Sequence, residues 1–173
     1  MMEPLAIWYN VLINPNYVRV FEHNGELIWT DGRILARVPP PLVDDVEAGK
    51  VYKVTPDELV VVTNKFNEEP IKRGLERAHS NCRVKLDTER VLTAPSEEVL
   101  AQERDGTRRA TTIREYRVEK DGESVYVDEK IHFVFSSSVK RGAKLLTDTR
   151  RTTVAAKING DIVAWGAVFR KSK

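Results

Sequence analysis

Two dipeptides, Asn24-Gly25 and Asp31-Gly32, punctuate one apolar run and constrain this chain more than any other feature. Both accept the positive φ that a type I′ turn needs at its two central positions. As two-residue loops they cut Tyr17–Val38, YVRVFEHNGELIWTDGRILARV, into a three-strand antiparallel meander. The register then sets Val20 opposite Trp29, and Trp29 opposite Ile34. Val18, Val20, Leu27, Trp29, Ile34, Ala36 and Val38 share one face, which is almost wholly apolar and expected on a core. Arg19, Phe21, Ile28, Thr30, Arg33, Leu35 and Arg37 share the other. Three arginines among large apolar residues suit a partly covered face or a protein-binding one, with Arg19, Phe21, Arg33, Leu35 and Arg37 as its candidates. Arginines snorkelling over a sheet edge give the same pattern.

The rest of the chain continues this style. Leu5–Ile13 is β-rich in composition and reads as a strand, broken by Asn14-Pro15-Asn16. Pro39-Pro40-Pro41 is expected to run as polyproline II, making a rigid corner. Lys50–Val54 and Glu58–Thr63 read as short strands. Glu68–Ser80 reads as a helix: Pro70 suits its first turn, and Ile71, Leu75 and Ala78 form one apolar stripe. Arg83–Leu86 reads as a short strand, and Ser96–Glu103 as a helix behind a Ser96 N-cap. Arg104–Arg109 reads as a polar loop, and Thr111–Glu119 and Ser124–Val127 as strands around Lys120-Asp121-Gly122. Asp128–Ser138 fits both a strand, with Ile131, Phe133 and Phe135 alternating, and a helix capped by Asp128. Thr152–Arg170 reads as a hairpin around Asn159-Gly160, with Val154, Ala156, Ile158, Val163 and Trp165 on one face. Asn24–Trp29 and Asn159–Trp165 are weakly similar, an echo suggesting two like units, about 1–90 and 91–173, within one α+β domain.

Composition narrows the function. No apolar run approaches the ~20 residues of a membrane span. Cys82 is the single cysteine, so an internal disulfide is excluded and a reducing compartment fits. MMEPLAIWYN lacks the basic-then-apolar order of a signal peptide, and a cytoplasmic location is expected. Charge is uneven: residues 1–70 carry 6 Lys/Arg against 11 Asp/Glu, and residues 139–173 carry 9 against 2. The basic end can meet phosphate, or pair with the acidic end within a chain or head-to-tail between copies. Lys72, Arg73 and Arg77 on the helix, with Lys140, Arg141, Lys144, Arg150 and Arg151 before the last hairpin, are the nucleic-acid-binding candidates. Asp44 and Asp45 are paired carboxylates of the kind that hold Mg²⁺, but neighbours on an extended chain point apart, so a solvated loop is expected. His79 and Cys82 have H-x-x-C spacing without the second ligand pair that zinc needs. No catalytic motif, metal or cofactor is expected.

Gly25–Val38, GELIWTDGRILARV, is similar to the strand–Thr-Asp-Gly–strand segment of bacterial and phage sliding clamps. Val125–Ser137 with Leu145-Leu146 and Thr152–Lys171 is similar to the closing unit of that family: helix, strand, strand, glycine turn, strand. The chain thus resembles a DNA sliding-clamp domain, the processivity-factor fold of replicative polymerases. The resemblance implies a predominantly antiparallel α+β fold with two or three helices. It implies that Asp128–Ser138 is a helix, partnered by Glu68–His79 or Ser96–Glu103. It implies a non-enzymatic DNA-associated accessory role, with basic residues touching phosphates without reading bases. The expected partner is double-stranded DNA or a replication or transcription protein, with copies able to associate as homo-oligomers. The alternative reading is a protein-binding inhibitor or regulator of a partner enzyme.

Overall fold

The computed structural model describes residues 3–102 and 105–170. The fold is α+β, with antiparallel sheets. The meander forms as β1 (Val18–His23), β2 (Glu26–Thr30) and β3 (Ile34–Arg37). Asn24 and Gly25 both take positive φ, 53° and 79°, and Val20 pairs with Trp29. The second turn corrects the expected register. Trp29 pairs with Ala36 and Thr30 with Leu35. Gly32 alone has positive φ, and the Asp31 N–H donates to the Ile34 carbonyl, so the loop is Gly32-Arg33. Asp31 is held out of the turn's centre because its buried carboxylate accepts from the backbone N–H groups of Ile13, Arg33 and Ile34 at 2.7, 3.1 and 3.2 Å. The register moves by two residues, a whole side-chain period, so both faces keep their expected membership.

Further strands extend the meander on both sides. β4 (Val51–Val54) pairs with β1, and β5 (Leu59–Thr63) with β4 across a bulge. On the other side β12 (Asp161–Ala167) pairs with β3, followed by β11 (Thr153–Ile158), β10 (Lys144–Thr147) and β6 (Val84–Lys85). The β11–β12 turn is Asn159-Gly160, as expected, with φ of 52° and 85°. A bulge then shifts the pairing from Lys157–Ile162 to Ala156–Ala164. Val163 is the extra residue. Trp165 therefore pairs with Ala155 and leaves the face of Val154 and Ala156 on which it was expected.

Three assignments made from sequence are corrected. Pro4–Val11 is a helix, α1, with Pro4 in its first turn; its apolar run buries Trp8 and Val11 rather than alternating. Pro40–Asp45 is a 3₁₀ turn that buries Leu42, not polyproline II. Ser96–Gln102 is a strand, β7, whose pairing with β8 (Arg108–Arg117) overrides its helix-forming composition; residue 103 lies outside the described residues. β9 (Ser124–Asp128) completes that second sheet. The open choice at Asp128–Ser138 resolves as helix α3 (Glu129–Lys140): the Asp128 carboxylate accepts from the Lys130 N–H at 2.8 Å. α2 (Glu69–Asn81) lies where its apolar stripe predicted.

Helices cover both faces of the large sheet. α1 and α3 share one core with Trp29, Ala36, Val154 and Ala164. The partner of α3 is thus α1, not either segment the resemblance implied. Tyr116 and Val127 of the three-stranded sheet join this same core. α2 lies on the opposite face, with Leu75 against Phe21, Ile28 and Leu35, and Ala78 and Cys82 against Ala155. A Cβ added at Gly74 would lie 3.3 Å from the Trp165 ring, so the glycine permits this approach. The order helix–strand–strand–strand occurs twice, as α1-β1-β2-β3 and α3-β10-β11-β12, and the two units join at β3–β12. The Asn-Gly echo does not mark equivalent places: Asn24-Gly25 joins the first two strands of its unit, and Asn159-Gly160 the last two.

Candidate interaction surface

The basic residues singled out from sequence do not form one patch. The Lys72 ammonium lies 3.0 Å from Glu68. Arg73 and Arg77 are exposed on α2, with Glu76, also exposed, between them. Lys140 and Arg141 sit at the C-terminal end of α3. Lys144 pairs across the ladder with Lys157 and lines a cleft shared with Asp87, Glu89 and Glu119. Arg150 and Arg151 lie at the other end of β10. The Arg151 guanidinium is occupied by Asp121 and Glu123, at 3.4 and 3.5 Å, and by the Asp148 carbonyl.

The five candidates on the second meander face part company in the same way. Phe21 and Leu35 are buried under α2, so this face is covered by the chain itself and they are not available to a partner. Arg19 and Arg33 are exposed and flank a cleft between the sheet and the start of α2, lined by Pro70, Ile71 and Trp165. Arg37 pairs with Glu26 and borders a different groove, on the α1/α3 side.

That groove is lined largely by apolar side chains, and the sequence does not point to it because Leu5–Ile13 reads there as a strand. α1 and α3 run over the large sheet and leave a cavity of about 220 Å³ between them. Trp8 and Trp29 line it, their rings edge to face with centroids 5.9 Å apart. Ile7 on α1 and Phe133 on α3 are 38% and 52% exposed. Arg37 and Arg141 stand at its polar border. The opening thus has an apolar floor, partly exposed apolar walls and two arginines among its lining residues.

Titratable groups elsewhere are tied into the scaffold. His132, on α3, lies between the Tyr116 hydroxyl, 2.7 Å from Nδ1, and the Ser136 hydroxyl, 3.1 Å from Nε2. A neutral imidazole serves one neighbour as donor and the other as acceptor. Burial, helped by the Arg114 charge, holds its pKa below the ordinary histidine value, and burial pushes the Tyr116 phenol well above its own. The Cys82 thiol is buried beside Thr153 Oγ1 at 3.5 Å, and burial raises its pKa. It faces the sheet while His79 is exposed. Asp44 and Asp45 are exposed in the 3₁₀ turn. Among the described residues no three His, Cys, Asp or Glu side chains come together as a metal site, and no helix is long and apolar enough to cross a membrane. No protein-family model, curated protein or solved structure matches the chain.

Proposed function

We propose that this protein is a non-enzymatic binding domain whose α1/α3 groove receives apolar side chains of a partner protein. One observation carries the reading: Phe133, a large aromatic, stands half exposed on a helix beside a cavity lined by Trp8 and Trp29. Folding alone gives no reason to expose it there, whereas an anchor residue of a partner would cover it. Arg141, exposed at the rim, favours a partner segment with a carboxylate next to its apolar anchors, whereas Arg37 is already paired with Glu26. Selection from a displayed peptide library tests this. Enriched peptides should pair apolar anchors with Asp or Glu and alter the fluorescence of the groove tryptophans. Phe133→Asp should abolish their binding while costing less stability than a change in the buried core, because half of the side chain is already exposed. Binding that survives Phe133→Asp sinks the reading.

DNA association of a clamp-like domain is a second reading, and a specific observation favours it. The two helix–strand–strand–strand units meet edge to edge with α1 and α3 on the same face, a repeat consistent with the resemblance to sliding clamps. Arg19, Arg33, Arg73 and Arg77, exposed around α2, supply the cations. Duplex DNA should then bind with an affinity that falls steeply as salt rises, since each phosphate contact releases a counterion. The pair Arg73→Glu and Arg77→Glu should weaken binding and flatten that dependence. Binding that is absent at low salt, or indifferent to salt, rules this reading out.

A further inference from the structure

The two edges of the nine-stranded sheet differ. β6 is two residues long, and short edges resist pairing with other chains. The edge strand β7 of the smaller sheet carries Glu97 and Glu98, a charged edge. β5 has neither protection. Its five residues, Leu59–Thr63, include no charge and no proline, and Val60, Val61 and Val62 are 42%, 46% and 47% exposed. Three consecutive exposed valines on an open edge present both apolar side chains and unpaired backbone groups.

We propose that β5 is a self-association surface, and that its occupant is β5 of a second copy, paired antiparallel about a two-fold axis at Val61. An isologous antiparallel pair places one residue opposite its own copy. With Val61 on the axis, Val60 faces Val62 of the other copy, and Leu59 faces Thr63. β5 ends at Thr63, and past the strand ends Asp57 of the β4–β5 turn comes near Lys65 of the other copy, which brings opposite charges together at each end. Asp57 and Lys65 are both exposed, and neither takes part in an ion pair among the described residues. Neighbouring registers lose this match. An axis at Val60 sets Glu58 against Val62, and an axis at Val62 sets Leu59 against Lys65. Cross-strand valine pairs and opposite charges both favour the Val61 register. The dimer joins two nine-stranded sheets into one through residues that do not line the α1/α3 groove, so it does not depend on what that groove binds.

Sedimentation velocity over rising concentration, with the full chain, reads this directly. The mass should rise from 19.7 kDa toward twice that value. Val61→Lys puts like charges on the axis and should weaken association by about tenfold or more. Lys65→Asp, a change at an exposed position, should weaken it too, and the swap Asp57→Lys with Lys65→Asp should restore it. A protein that stays monomeric throughout overturns the proposal. So does a dimer unmoved by Val61→Lys, or one that the charge swap fails to rescue.

Discussion

Two buried polar side chains fix much of the local geometry. The Asp31 carboxylate bridges the end of α1 and the β2–β3 turn through backbone N–H groups of both. It thereby sets the register of the strand that β12 pairs with. His132 does a different task, filling a polar gap between α3 and β8 as a neutral ring. Its pKa is lower in the folded state than the ~6.5 of an unfolded chain. On acidification the unfolded state therefore takes up the proton first. The contribution of His132 to stability is complete above ~6.5, declines as pH falls below it, and levels off under the folded-state pKa. Urea denaturation between neutral and mildly acidic pH should show the midpoint falling in that window. His132→Leu should remove this part of the slope, although it costs stability by leaving the Tyr116 and Ser136 hydroxyls without this partner. A slope unchanged in that variant assigns the pH dependence to other groups.

At the scale of elements, α2 is the clearest case of a helix defined by what it covers. Its stripe of Ile71, Leu75 and Ala78 was legible from spacing, and so was the mixed face of the meander. What the sequence did not reveal is that the two belong together, because periodicity within an element does not say which element it meets. Leu75→Ala should cost about 2–5 kcal/mol, the range for a buried leucine whose neighbours cannot fully collapse. Urea unfolding measures that loss; a change below ~1 kcal/mol would mean that α2 is only loosely seated on Phe21 and Leu35. Legibility elsewhere followed the same physics. Asn24-Gly25 and Asn159-Gly160 were readable because few residue pairs accept their φ angles. α1 and β7 were not, since a short apolar run and a short polar run each satisfy more than one period, and burial of Trp8 and pairing with β8 decide between them. The candidate groove shared the fate of α1. Its walls come from segments more than a hundred residues apart, and one of them, Pro4–Val11, reads as a strand from composition alone.

For the molecule as a whole, the question is whether the two helix–strand–strand–strand units are folding units or halves of one. Their junction is the β3–β12 ladder, and it lies at the centre of the large sheet, not at a boundary. Side chains of both units share one core, in which Trp8, Trp29 and Ala36 meet Ile131, Phe135 and Ala164. The opposite face is shared as well: α2 belongs to the first half of the chain and packs on Ala155 and Trp165 of the second. A cut near residue 90 would leave β3 and β12 as open edges and expose apolar surface on both sides of each fragment. Fragments 1–90 and 91–173 should therefore show no cooperative unfolding when separate. The intact chain should lose tryptophan fluorescence and far-ultraviolet circular dichroism in one coincident transition. Trp165 is the reporter that separates the cases. It sits on a strand of the second unit, but it is partly buried against Gly74 and Ala78 of α2. If fragment 91–173 alone unfolds cooperatively, with the Trp165 emission seen in an intact chain carrying Trp8→Phe and Trp29→Phe, the units are independent and the central ladder is a docking joint. If that emission returns only on mixing with fragment 1–90, the sheet is a single structure completed from both ends of the chain.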